Sequence, residues 1–185
     1  MTDLDVRRLF LALWPDAALR NDLTDLQRRF PQNIGRAINA DNLHITLVFL
    51  GSTPGERRAC LEDALTGIKL PGFSFQLDQF GYWRKPQVLW AGSNNVPAPL
   101  TTLVDVMTSK AIKCGFKLDP RPFHPHLTLF RKVRKSPRDM PSMEPILWSA
   151  DSYALVESVT AASGVCYKIL KTWALETGAP DSVTG

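Results

Sequence analysis

Two copies of one short pattern constrain this chain more than anything else in it: His44-Ile45-Thr46-Leu47 and His126-Leu127-Thr128-Leu129, 82 residues apart. Each lies in an apolar run of strand character, Leu43 to Leu50 and Leu127 to Phe130. Side chains alternate faces along a strand. His44 and Thr46 are therefore expected on one face, with Ile45, Leu47 and Phe49 on the other. The second copy sets His126 and Thr128 against Leu127 and Leu129. A face bearing only histidine and threonine is a poor core face and suits the lining of a cleft. The chain has three histidines, and two of them hold equivalent places in the repeat.

The surrounding pattern alternates strands and helices. Val6 to Trp14 reads as a strand, and Pro15-Asp16 opens a helix through about Phe30. A loop from Asn33 to Asn42 leads into the first motif strand, which Gly51 is expected to end. Glu56 to Ile68 has helical spacing, and Phe73 to Phe80 alternates as one strand with Phe73, Phe75 and Leu77 on a common face. Val88 to Ala91 is a short strand. Leu100, Leu103, Val104, Met107 and Ala111 mark a helix from about Ala98 to Cys114, closed by Gly115. After the second motif, Trp148 to Val159 and Val165 to Leu175 flank a Ser163-Gly164 turn and suit a hairpin. One His-Thr strand thus falls in each half, which predicts two similar lobes sharing a cleft. Residues 1–177 are expected to form one domain and 178–185 a disordered tail.

Composition excludes little. At 185 residues the chain can bury a stable core, and its 44% hydrophobic and 22% charged content is ordinary for a globular protein. A net charge of +4 leans mildly towards an anionic partner. The excess is concentrated: Arg131, Lys132, Arg134, Lys135 and Arg138 fall immediately after the second motif. Such a run reads either as a solvated loop or, beside a His-Thr face, as a phosphate or nucleic-acid contact. Cys60, Cys114 and Cys166 lack metal-type spacing and read as core packing in a reduced, cytoplasmic protein. The first residues form no signal peptide, and no run approaches the length of a membrane span.

Two histidines facing across a cleft suit a reaction in which one proton is removed and another delivered. Imidazole titrates near neutrality, so one ring can act as base while the other acts as acid. Phosphodiester chemistry fits this arrangement, with Thr46 and Thr128 placed to hold non-bridging oxygens as charge builds on phosphorus. A metal site is the main competitor, because His124 and His126 are two apart. No Asp, Glu or Cys lies within either motif strand to complete a ligand set, and His124, between Phe123 and Pro125, reads as structural. The scheme calls on no metal and no cofactor.

These residues resemble a known group, the two-histidine phosphoesterase superfamily. The stretch Arg121-Pro122-Phe123-His124-Pro125-His126-Leu127-Thr128-Leu129-Phe130-Arg131 is similar to the bacterial RNA 2′,3′-cyclic phosphodiesterases, historically called 2′-5′ RNA ligases. Arg8-Leu9-Phe10, Asp41-Asn42-Leu43-His44 and Lys171-Thr172-Trp173-Ala174-Leu175 fit as well, so the likeness runs from residue 8 to residue 175.

The resemblance implies a bilobal α+β fold. Two pseudo-symmetric lobes with antiparallel sheets would face a central cleft, with helices outside. It implies hydrolysis of a ribose 2′,3′-cyclic phosphate to a 2′-phosphomonoester, and reversible 2′-5′ joining of RNA ends by the same machinery. The catalytic set maps onto His44, Thr46, His126 and Thr128, with His44 leaning to proton donor and His126 to proton acceptor. Arg131 maps onto a further phosphate contact. Strict alternation turns Arg131 away from the cleft, so it reaches phosphate only if the strand twists, ends or bulges near Phe130. Phe10, Trp83 and Tyr153 are the aromatic options for holding a base, and Lys132 and Arg134 the options for RNA backbone. The implied partner of a monomeric, membrane-free protein is an RNA with a 2′,3′-cyclic phosphate end, tRNA fragments included. A small nucleotide such as a cyclic phosphate of ADP-ribose, and a non-catalytic RNA-binding role, are the alternatives.

Overall fold

The computed structural model describes residues 6–135, 140–161 and 164–177. Arg138, Ser163 and the expected tail 178–185 lie outside the described residues. The element order is β1 (Arg7–Leu13), α1 (Ala17–Arg28), β2 (Arg36–Ala37), a 3-10 turn (Ala40–Asn42), β3 (Ile45–Thr53), α2 (Gly55–Thr66), β4 (Phe73–Leu77), β5 (Gln79–Trp83), β6 (Val88–Gly92), α3 (Ala98–Lys113), β7 (His126–Arg131), β8 (Ile146–Ala150), β9 (Ser152–Ala161) and β10 (Gly164–Ala174).

The helices form where caps and apolar spacing agree. The Asp16 carboxylate accepts the Leu19 N–H at 2.8 Å and opens α1. Leu19, Leu23 and Leu26 then bury one stripe of that helix. In α3, Leu100, Leu103, Val104, Met107 and Ala111 are buried. Gly115, at φ +82°, ends it with its N–H on the Ile112 carbonyl.

The strands build an antiparallel sheet in the order β10-β9-β1-β3-β7-β6-β5, with β2 paired to β7. The two motif strands, β3 and β7, are neighbours at its centre, joined at Ile45 and Leu127. One continuous core unites Leu23 of α1, Leu61 and Leu65 of α2 and Leu103 of α3 with Leu9, Leu11, Ile45, Leu127 and Leu129 of the sheet. The helices therefore cover one face. Gln27 on α1 fixes the depth of that packing by donating to the Leu129 and Ile38 carbonyls at 2.8 and 3.0 Å. Tyr153 and Trp173 do the same for α2, through the Leu65 carbonyl and the Thr66 hydroxyl. A smaller cluster of Phe10, Ala12, Ala154 and Val156 lies apart from this core.

Three expectations need correcting. The run Phe73 to Phe80 is not one strand. It divides at Asp78, where β4 pairs with β8 in a separate two-stranded sheet and β5 turns to β6. The Trp148 to Val159 run divides likewise at Asp151, because Trp148 goes with β8 to stack on Phe75, while β9 forms the expected hairpin with β10. Gly51 does not end the first motif strand. At φ +72° it sits beside a register shift within a strand that continues to Thr53.

The cysteines also differ from expectation. Cys60 of α2 and Cys114 at the end of α3 form a disulfide, with Cα atoms 5.8 Å apart, and Cys166 is free and exposed. None of the three is a fully buried core residue. Helices α2 and α3 pack together, which brings two thiols 54 positions apart within bonding reach.

Candidate active site

His44, just before β3, and Thr46 within it, together with His126 and Thr128 from β7, line one cleft of about 700 Å³. Their apolar neighbours Ile45, Leu47, Leu127 and Leu129 are buried on the helix side. Alternation thus holds through the motifs and then breaks in both strands at the same place. In β3, Ala12 pairs with Thr46 but Leu11 pairs with Val48, so Leu47 is an extra residue. In β7, Trp90 pairs with Thr128 but Leu89 pairs with Phe130, so Leu129 is extra. Each bulge inverts the parity of the residues beyond it. Phe49, expected among the core side chains, is instead 50% exposed and lines the cleft. Arg131, which strict alternation turned away, lines it too. The fifth residue after each histidine therefore joins the cleft face, as a phenyl ring in one half and a guanidinium in the other.

The two imidazoles are held alike. His44 Nδ1 lies 2.6 Å from the Asn42 carbonyl and His126 Nδ1 lies 2.8 Å from the His124 carbonyl. A carbonyl only accepts, so Nδ1 carries the hydrogen in both rings and Nε2 is left to the cleft. His44 Nε2 meets the Thr46 hydroxyl at 3.0 Å. Burial pushes His44 down from 6.5 to about 4, against the raising effect of the Asn42 carbonyl, with Arg131 and His126 adding to the depression. Burial likewise lowers His126, and the charges of His124 and Arg131 reinforce it. Both rings are thus neutral at pH 7.

Aromatic rings fix the imidazole planes. Trp14 stacks on His44 at 5.3 Å and 8° between planes, with Phe10 and Tyr167 each at 5.0 Å. Trp83 meets His126 edge-on at 4.5 Å. Of the three aromatic options, Phe10 lines the cleft and Trp83 stands against His126. Tyr153 does not belong there: it is 1% exposed, in the core, with its hydroxyl on the Leu65 carbonyl. Its neighbours along the strand point the other way, so the parity of β9 sends it to the helix side.

Several lining residues were not picked out from the sequence. Arg36 pairs across from Arg131, and Arg8 sits over the Phe49 ring at 5.0 Å. Among the described residues no acidic side chain lines the cleft, and three arginines do. Asn42 couples two parts of the site. Its carbonyl holds His44, while its amide donates to the Val165 carbonyl and accepts the Tyr167 N–H from β10. Arg8 and Asn42 stood inside the stretches that carried the resemblance; Arg36 had no signal beyond its charge. Lys132 and Arg134 are exposed beyond the end of β7 and do not line the cleft. Among the described residues no group of three His, Cys, Asp or Glu side chains is arranged to hold a metal ion.

A family model described as LigT-like phosphoesterase matches residues 13–90. The chain is 34% identical over 170 residues to the RNA 2′,3′-cyclic phosphodiesterase of Escherichia coli strain K12, covering 91% of this chain and 97% of that one. It is 29% identical over 178 residues to a protein of the same name from Archaeoglobus fulgidus, covering 90% and 99%. The fold superposes on E. coli LigT complexed with 3′-AMP with a TM-score of 0.86 at 34% identity, over 92% of this chain and 99% of that one.

Proposed function

The chain belongs to the LigT-like phosphoesterase family, and from that membership we propose that it hydrolyses RNA 2′,3′-cyclic phosphate ends to 2′-phosphomonoesters. The observation that carries the reading is the matched pair of imidazoles, each with Nδ1 tied to a carbonyl two residues back and Nε2 left for a proton. His126 Nε2 takes a proton from water as the water oxygen bonds to phosphorus. The P–O3′ bond breaks, and His44 Nε2 delivers a proton to the departing O3′. Thr46, Thr128 and Arg131 hold the non-bridging oxygens as negative charge grows on them. Each proton has an imidazole and the charge has a guanidinium, so the scheme calls on no cofactor.

The lowered pKa of His44 fits this role once substrate is bound. The cyclic phosphate is an anion and favours the protonated ring. Its oxygens also compete for the Thr46 hydroxyl that His44 Nε2 contacts. Run towards synthesis, the same residues would join RNA ends through a 2′-5′ bond. The substrate is an RNA end, tRNA fragments included, handled by a monomer in the cytoplasm. A cleft lined, among the described residues, by three arginines and no carboxylate supports an anionic partner.

The test is to incubate the protein with an oligoribonucleotide ending in a 2′,3′-cyclic phosphate in the presence of EDTA. A 2′-phosphate product is expected, with His44→Ala and His126→Ala each slower by at least about 10²-fold. The double variant should lose far less than the product of the two losses. Activity that EDTA abolishes and a divalent metal restores would overturn the two-histidine scheme.

A further inference from the structure

Beyond the end of β7 the surface carries a second basic feature that the cleft does not use. The β5–β6 turn, Arg84 to Gln87, lies against the segment after Arg131, and together Arg84, Lys85, Pro86, Gln87 and Arg134 line an open pocket of about 490 Å³. This is a built surface. The Val133 N–H donates to the Gln87 carbonyl at 3.1 Å, the Tyr82 hydroxyl donates to the Val133 carbonyl at 2.7 Å, and Val133 itself is fully buried. Gln87 and Lys132 both take left-handed backbone conformations, at φ 66° and 59°, which fold the two segments onto each other.

The charges there are unneutralised. Arg84, Lys85, Lys132, Arg134 and Lys135 are all exposed, and among the described residues none has a carboxylate within ion-pair distance. Exposed arginines elsewhere do, as in Arg28–Asp25 and Arg121–Asp119. The pocket also lies close along the chain to the phosphate end of the cleft. Val88, the residue after the turn, pairs directly with Arg131, and Arg134 is three residues further on, at most ~10 Å of chain.

We propose that the β5–β6 turn and Arg134 form a backbone subsite for the RNA strand upstream of the cyclic end, with Arg84 and Lys85 binding its phosphates. This rests on the reading of the cleft as a cyclic phosphodiesterase site. The subsite takes single-stranded polyribonucleotide and has nothing to offer a mononucleotide. It makes the enzyme favour long RNA ends by lowering KM, with the chemical step unchanged.

The experiment compares the full chain with an Arg84→Gln/Lys85→Gln variant on a 2′,3′-cyclic mononucleotide and on a short oligoribonucleotide with the same end. Turnover of the mononucleotide should be unchanged. For the oligonucleotide, kcat/KM should fall roughly three- to tenfold at low salt, with a salt slope flatter by about 0.7 per lost contact. An Arg84→Lys/Lys85→Arg variant should keep the affinity. Parallel losses on both substrates, or no loss on either, overturn the subsite. Fluorescence anisotropy on a single strand bearing a 2′-phosphate end gives a second reading independent of turnover. If the wild-type protein opens neither cyclic substrate, the proposed function fails, while weaker anisotropy binding by the Gln variant would still uphold the subsite and unchanged binding would overturn it.

Discussion

His44 and His126 differ from free histidine in the same direction and for the same cause, burial. General acid–base catalysis needs one ring charged and the other neutral, and kcat/KM reports the free enzyme. Its pH profile should therefore be a bell with its maximum below pH 6.5, whichever ring is the acid. Arg131 contributes to lowering both rings, so Arg131→Gln should move both limbs to higher pH while reducing the rate. A kcat/KM plateau extending through pH 8 in the wild type would contradict the geometry. The same depression bears on folding. A neutral ring is favoured in the native state, so its contribution is full above pH 6.5 and is lost as pH falls towards about 4, where His44 charges. Acid unfolding should accordingly be less steep in His44→Gln, read from denaturant midpoints at pH 7 and pH 4.5.

Among the elements, β5 and β6 show how backbone serves the site. Gly81 pairs across from Trp90, and a Cβ at Gly81 would fall inside the Trp90 indole. The missing side chain lets Trp90 lie flat across β5, where it meets Trp83 at 5.3 Å and His124 at 4.8 Å, behind His126. Gly81→Ala should therefore cost about 1–3 kcal/mol through overpacking. It should also shift tryptophan fluorescence and slow turnover, all three checked on one preparation. Unchanged fluorescence would show that Trp90 lies elsewhere. The elements also show what the sequence could carry. The apolar run of β1 and the helical spacing of α1 and α3 were legible because the pattern lies within the element. The bulge at Leu47 was not, and one near Phe130 entered only as a condition for Arg131 to reach phosphate, because a bulge is defined by the partner strand's register. The divisions at Asp78 and Asp151 were hidden for the same reason: an alternating run says that it is a strand and not which strand it joins. The motif histidines were readable because they repeat; Arg36 reaches the cleft only through β2 pairing with β7.

For the molecule as a whole, the Cys60–Cys114 link closes a loop of 54 positions that holds the end of α2, β4, β5, β6 and all of α3. In the chain-entropy account, a loop of that size is worth about 4 kcal/mol. A reducing cytoplasm keeps such pairs mostly as thiols, and the link lies among the helices, on the far side of the sheet from the histidines. Reductant should therefore lower the denaturant midpoint by up to that amount and leave kcat/KM unchanged, with Cys60→Ser matching the reduced protein. Loss of activity on reduction would show that the helix layer sets the cleft.

The matched bulges have a consequence for direction. A frame in which two identical halves each offer one imidazole and one hydroxyl cannot distinguish donor from acceptor, and a substrate could enter either way round. The fifth residue removes that degeneracy. With Phe49 at one end and Arg131 at the other, the two approaches to the cleft differ in chemistry, and a nucleotide with one apolar face and one anionic group has a single orientation that satisfies both. In the proposed reaction, polarity is thus encoded at one position of an otherwise repeated motif.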